Sequence, residues 1–215
     1  ASEFATLYDD FGYGDALYRD PNSLSYVIAA PHPDLWILAI DDNKYADNTS
    51  IAIIGGNIKD ATHEWILQRL EEAKQKKIRV FAMMHHNMVE HYASQNDLDP
   101  EYVTDNWESH ATAYMDAGLE VIFTGHYHAN DITSYTNNSK TLYDVETGSQ
   151  SNPPLPYRVG TFKDKTLKIE SRYTTTISTA LPGDMDLVTY SNAFFSAHLD
   201  GAFSYLLTQP PFSLP

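Results

Sequence analysis

Between residues 35 and 124, short apolar segments alternate with longer segments that carry an apolar stripe along one side. A short, continuous apolar run is typical of a strand buried on both faces, whereas a stripe that repeats about every 3.6 residues indicates an amphipathic helix. The strand-like segments are 35–40, 78–84 and 119–124, and the helix-like segments between them are 60–77 and 102–117. Strands and helices in this order predict an α/β fold, in which helices cover a sheet.

Segment 60–77 shows the helical pattern most clearly. Its stripe consists of Trp65, Ile66, Leu70 and Ala73. Asp60 or Thr62 is expected to cap the first turn, and the lysines near residue 77 suit the negative end of the helix dipole.

The segments on either side of this core predict antiparallel structure. Residues 25–30 form a strand-like run, separated from the run at 35–40 by a proline-rich turn. Beyond Gly125, short alternating segments predict an antiparallel meander, at 132–135, 142–146, 157–162 and 167–173. A final apolar stripe predicts a helix over 184–207. We therefore expect one domain over residues 1–180 and the start of a helical extension over 181–215.

Composition narrows the classes of partner. The formal net charge is −15, so the surface repels phosphate backbones and anionic lipids, and we expect no nucleic-acid polymer as partner. The chain has no cysteine, which excludes disulfides, thiolate zinc sites and cysteine nucleophiles. This suits either a reducing compartment or a secreted or cell-envelope protein without disulfides, so the localisation stays open. No apolar run reaches the length of a membrane span.

Histidines follow two of the predicted strands directly. His85 and His86 come after the strand at 78–84, and the motif Gly125-His126-Tyr127-His128 comes after the strand at 119–124. Loops at strand ends are where α/β proteins place reactive groups, and neutral imidazole is a common metal ligand. Three histidines suffice for one zinc ion, but a hydrolytic pair of ions also needs bridging carboxylates.

The other histidines lack such a context. His32, His63, His110 and His198 are expected to be ordinary surface or core residues. The segment 86–91 nearly matches a zinc-protease motif, but Asn87 stands where that motif requires histidine, and a protease is rejected.

Taken together, the histidine motifs resemble those of calcineurin-like metallophosphoesterases. The segment 83–87 is similar to the fourth motif of that family, and 125–128 is similar to its fifth motif, Gly-His-x-His. The order and the spacing of the two motifs also agree, and segments 146–149 and 156–159 resemble the meander of bacterial phosphohydrolases and cyclic nucleotide phosphodiesterases. The resemblance implies the C-terminal half of a four-layer αββα sandwich, with a mixed sheet, an antiparallel meander and a C-terminal helix.

The same resemblance implies roles for individual residues. His85 and His126 would bind one divalent ion and His128 the other, the two ions being Mn, Fe or Zn. His86 is the candidate proton donor, and Asn87 and Tyr127 are candidate substrate contacts. The implied activity is hydrolysis of small phosphate monoesters or diesters.

The family motifs that carry carboxylate ligands are absent from the sequence. Gly55-Gly56-Asn57 is followed by Ile58 rather than by histidine, and no Asp-x-His motif occurs. We expect a piece that lacks the N-terminal half of its domain, and therefore weak metal binding and little or no activity in the isolated chain. The alternatives are a catalytically inactive binding protein with the same fold, and a module that holds a single zinc ion.

Overall fold

The strands are arranged mainly in one mixed sheet. The computed structural model describes residues 2–45 and 53–208. Its strands are β1 (Tyr18–Arg19), β2 (Tyr26–Ala29), β3 (Leu35–Ala39), β4 (Arg79–Met83), β5 (Val121–Thr124), β6 (Ile132–Asn137), β7 (Lys140–Glu146), β8 (Pro156–Lys163) and β9 (Thr166–Tyr173). Within the described residues, seven of them form a sheet in the order β1-β2-β3-β4-β5-β7-β6, and β8 pairs with β9 alone.

Five α-helices lie between and after these strands in the described parts of the chain. They are α1 (Ser2–Leu7), α2 (Asp60–Gln75), α3 (Gln95–Leu98), α4 (Trp107–Asp116) and α5 (Leu187–Thr208). The mixed α/β class with a C-terminal helix, predicted from the sequence, is confirmed.

The centre of the sheet is parallel. Strand β3 pairs with β4, β4 with β5, and β5 with β7, all in parallel, while β1, β2 and β6 pair with their neighbours in antiparallel fashion. Leu38, Ala82 and Ile122, one from each of the first three parallel strands, are completely buried in the hydrophobic core. Because all these strands run the same way, the residues that follow β3, β4 and β5 meet at one edge of the sheet.

Helix α2 packs its apolar face on the core as its stripe predicts. Ile66, Leu70 and Ala73 are buried. The predicted cap is wrong, because Lys59 precedes the helix without a side-chain cap. The buried hydroxyl of Thr62 instead donates to Asp20 Oδ2 at 2.6 Å and so anchors the helix to the segment after β1.

Two predicted elements differ from the structure. Helix α4 begins at Trp107 rather than at residue 102, because Val103 and Thr104 pair in extended conformation with Asn87 and Gly56. The predicted meander consists of two separate hairpins, β6–β7 and β8–β9. Pro153 and Pro154 lie between them and lack the N–H groups that a continuous strand ladder needs.

The chain forms two compact units, residues 1–146 and 147–215. The second unit contains the β8–β9 hairpin and α5. The domain boundary expected near residue 180 stays a prediction. In the described part of the chain no helix has both the length and the apolar character required to span a bilayer.

A buried charged cluster joins β7 to the loop after β4. His91 Nε2 lies 3.5 Å from Asp144 Oδ1, and His91 Nδ1 lies 3.9 Å from Glu146 Oε2. Asp144 also accepts the backbone N–H groups of Met88 and Val89 at 2.7 and 3.0 Å. Buried charges persist only when they are paired, so the cluster fixes the path of the loop that follows β4.

Burial raises the pKa of Glu146 to about 7, while the charge of His91 and the backbone N–H of Ala129 oppose the shift. The folded protein therefore holds a proton on this carboxyl where the unfolded chain, with a pKa near 4.5, has lost it. Stability that is present below pH 4.5 is lost as the pH rises through about 7.

We predict that Glu146→Gln gains stability relative to the wild type as the pH rises from 5 to 8. Glutamine resembles the protonated carboxyl, so the two proteins should be similar at pH 5 and differ by on the order of 1–3 kcal/mol at pH 8. Urea unfolding at the two pH values measures this, with the exposed Glu108→Gln as control. A difference that does not change with pH would contradict the prediction.

Candidate metal centre

Two neighbouring parallel strands bring His85 and His126 together. His85 follows β4 and His126 follows β5, and these strands pair in register through Met83 and Phe123. The N–H of Gly125 donates to the carbonyl of His85 at 3.0 Å, which joins the two loops directly. The proximity of these histidines is thus a consequence of the sheet.

The facing ring nitrogens of His85 and His126 lie close enough together to bind the same ion. His85 Nε2 is 2.9 Å from His126 Nδ1, and the ring centroids are 4.5 Å apart. His126 has a left-handed backbone conformation, with φ of 65°. Together with His86, they form a group whose potential ligand atoms all lie within 4.8 Å of one another, and no other such group occurs among the described residues.

The surroundings of His85 and His126 favour neutral rings. Burial, the charge of His86 and that of His85 lower the pKa of His126 to about 4. Burial and His86 also lower the pKa of His85. Both imidazoles therefore offer a lone pair at neutral pH, as a metal ligand must.

His86 has a different environment, although it is adjacent in sequence. It is completely buried, with Nδ1 2.8 Å from Asp42 Oδ2 and Nε2 2.7 Å from the carbonyl oxygen of Ile54. Burial lowers the pKa of His86, but the bond to the Asp42 carboxylate outweighs it, and the net shift is upward. Because both neighbours are acceptors, both ring nitrogens donate, and in this arrangement His86 has no lone pair for an ion.

Gly56 is packed directly against this buried pair. A Cβ atom at this position would lie 2.6 Å from His86 Cγ and 2.9 Å from Asp42 Oδ2. The neighbouring Asn57 N–H donates to the carbonyl of Asp42 at 2.6 Å. Gly55-Gly56-Asn57, which in sequence lacks the histidine of the family motif, therefore packs against His86.

Asn87 is completely buried and its amide is engaged within the protein. Its Nδ2 donates to Thr124 Oγ1 at 3.2 Å, and its Oδ1 accepts from Gln95 Nε2 at 3.1 Å. In this position it joins the loops after β4 and β5. A contact between Asn87 and a substrate stays a prediction.

Tyr127 lies at the surface in a group of aromatic rings. Its side chain is 37% exposed, and its ring centroid lies 5.5 Å from that of Tyr92 and 5.1 Å from that of Tyr102. The ring of Tyr102 in turn lies 4.7 Å from that of His126. The three tyrosine rings thus form a contiguous aromatic surface next to His126.

His128 is exposed and has a φ of 63°. Its charge contributes to lowering the pKa values of His85 and His126, but its ring is not part of the three-histidine group. The ligand role of His128 stays a prediction.

Asp42 is the residue at this site that sequence reasoning missed. Asp41 and Asp42 follow β3 as histidines follow β4, and β3 is the parallel neighbour of β4. An acidic doublet directly after a buried strand was the available signal. Asp42 Oδ2 is bonded to His86, and none of the described carboxylates joins the three-histidine group. This donor set fits one ion at His85 and His126 and lacks a bridging carboxylate.

Comparison with known proteins supports the fold. No protein-family model and no curated protein matches the chain. Among solved structures, a dimetal phosphatase from Danio rerio is similar, with a TM-score of 0.57 and 14% sequence identity. The match covers 79% of this chain and 65% of the phosphatase, so the chain spans about two thirds of that protein. At this identity the likeness shows a shared fold.

We predict that Gly56→Ala destabilises the protein, because the added methyl group overlaps the buried His86–Asp42 pair. Overpacking of this kind costs roughly 1–3 kcal/mol, which urea unfolding would measure. Gly55→Ala is the matched control, since the atom nearest to its added Cβ is the flexible end of Lys44, at 3.4 Å, and the nearest backbone atom, in Glu101, is at 3.8 Å. Equal stabilities of the two variants would show that the segment packed against His86 tolerates a side chain.

Proposed function

We propose that this chain carries histidine ligands of a metal-dependent phosphoester hydrolase that acts on small phosphate monoesters or diesters. The observation that carries the proposal is the 2.9 Å approach of His85 Nε2 and His126 Nδ1 at the carboxyl edge of the parallel sheet. The fold shared with a dimetal phosphatase supports the same class of reaction.

The residues fit an ion at this position. His85 and His126 supply two neutral nitrogens. His126 Nε2 is in addition buried without a hydrogen-bond partner among the described residues, an unsatisfied state that ligation would relieve. A bound divalent ion would polarise a phosphoryl oxygen and lower the pKa of a coordinated water.

The second ion of a two-metal site needs further ligands. We assign His128 to it, and carboxylates from outside the described residues would have to bridge the two ions. Mn, Fe and Zn all suit such a mixed nitrogen and oxygen set.

His86 contributes through its position in this proposal. Its bonds to Asp42 and Ile54 hold the backbone next to His85 and keep a positive charge close to the site. Donation of a proton to the leaving alcohol, its predicted role, requires His86 to separate from Ile54. Tyr127, which lies beside Tyr92, would contact the substrate next to His85 and His126.

A single-ion module is the second candidate, and the lack of a carboxylate in the three-histidine group favours it. The two candidates differ in activity. A closed single-ion site binds metal and hydrolyses nothing, whereas an open site turns over a phosphoester.

We predict that His85→Ala and His126→Ala each weaken binding of Mn²⁺ or Zn²⁺ at least about tenfold, because each removes a direct ligand. Isothermal titration calorimetry measures the affinity, and His198→Ala, an exposed histidine on α5, is the control.

Hydrolysis of bis-p-nitrophenyl phosphate with Mn²⁺ separates the candidates. Turnover that is lost in His126→Ala supports the hydrolase. Metal binding without turnover, also after the native upstream sequence is included, supports the single-ion module. Unchanged metal affinity in both alanine variants would contradict both.

A further inference from the structure

Two histidines that looked ordinary in sequence meet between helices α2 and α4. His63 Nδ1 lies 2.9 Å from His110 Nδ1 and 3.1 Å from the hydroxyl oxygen of Tyr114. The two imidazole centroids are 4.8 Å apart. None of these three residues belongs to the centre at His85 and His126.

Hydrogen bonding alone leaves this contact incompletely satisfied. An imidazole nitrogen has either one proton or one lone pair in its plane. If His63 Nδ1 carries the lone pair, the hydroxyl of Tyr114 and the Nδ1–H of His110 compete for it. If His63 Nδ1 carries the proton, one donor serves two acceptors. Because Tyr114 is completely buried, a hydroxyl without a full hydrogen-bond partner is costly here.

A cation between the three atoms satisfies them together. Adjacent ligands at right angles around an ion with bonds of about 2.1 Å are about 3.0 Å apart. The observed separations of 2.9 and 3.1 Å match this distance between neighbouring ligand atoms. Tetrahedral coordination places neighbouring ligand atoms farther apart, so the spacing favours ions with square-planar or octahedral preference, such as Cu²⁺ or Ni²⁺.

The ion would have a route of entry. The two histidines line a polar cleft of about 400 Å³ together with Lys59, Asp60, Asn106 and Ser109. Burial and the neighbouring His63 lower the pKa of His110 to about 4, so its ring is neutral at neutral pH. Burial raises the pKa of Tyr114, which remains a phenol and offers a neutral oxygen.

We propose that His63 and His110 form a second, independent site for a divalent transition-metal ion of the Cu²⁺ or Ni²⁺ type, at which the Tyr114 hydroxyl is the third neighbour and the cleft supplies the open positions. The site does not depend on the proposed hydrolase activity, because it shares no ligand with that centre.

Copper titration followed by electron paramagnetic resonance tests the proposal on the whole chain. Wild-type protein should bind two equivalents of Cu²⁺, one at each centre. His63→Gln and the double variant His85→Ala/His126→Ala should each retain one equivalent, and in the double variant the copper signal should show coupling to two imidazole nitrogens. In His63→Gln, the affinity of the His63–His110 site for Cu²⁺ should fall at least about tenfold.

His63→Gln is the main variant because His63 is only half-buried, whereas His110 is buried and its replacement affects folding more. Circular dichroism confirms that each variant is folded, and the exposed His198→Gln is the matched control. If His63→Gln binds as much Cu²⁺ as His198→Gln, or if the double variant binds none, the proposal is overturned.

Discussion

The buried ion pair between Asp42 and His86 is the interaction on which the rest of the candidate site depends. It joins the end of β3 to the end of β4, and through Ile54 it also holds the segment before α2. Removing one partner of such a pair leaves an uncompensated buried charge, which costs roughly 3–5 kcal/mol. Gly56 is needed because only a residue without a side chain fits against the pair.

The same pair separates the chemistry of two adjacent histidines. His86 is held as a donor at both nitrogens, and its positive charge disfavours protonation of His85 and His126. Those two rings therefore keep their lone pairs, although they lie in a strongly acidic protein with a net charge of −15. The ion pair thus favours the neutral state of the neighbouring rings, which a metal ligand requires. The doublet His85-His86 divides into one candidate ligand and one residue that supports the backbone.

The periodicity of apolar residues was sufficient to predict the parallel core of the sheet and the proximity of His85 and His126. Apolar runs identify β3, β4 and β5, and parallel strands necessarily bring their following residues to one edge. Contacts between elements far apart in the chain were not predictable in this way. Asp42 and His86 are 44 positions apart, and His63 and His110 are 47 apart, so no local pattern marks either pair. The hairpins after Gly125 were identified as strands, but β7 joins the large sheet while β8 does not, a choice set by tertiary packing.

Nitrogen-15 NMR of the histidine side chains during a Zn²⁺ titration at neutral pH tests the different states of His86 and its two neighbours most directly. We predict that His86 shows two protonated ring nitrogens before and after zinc is added. The ring nitrogens of His85 and His126 should start as those of neutral imidazoles and shift together at the first equivalent bound at this centre. A neutral His86 whose ring nitrogens shift with zinc, while those of His85 or His126 stay unchanged, would contradict the prediction.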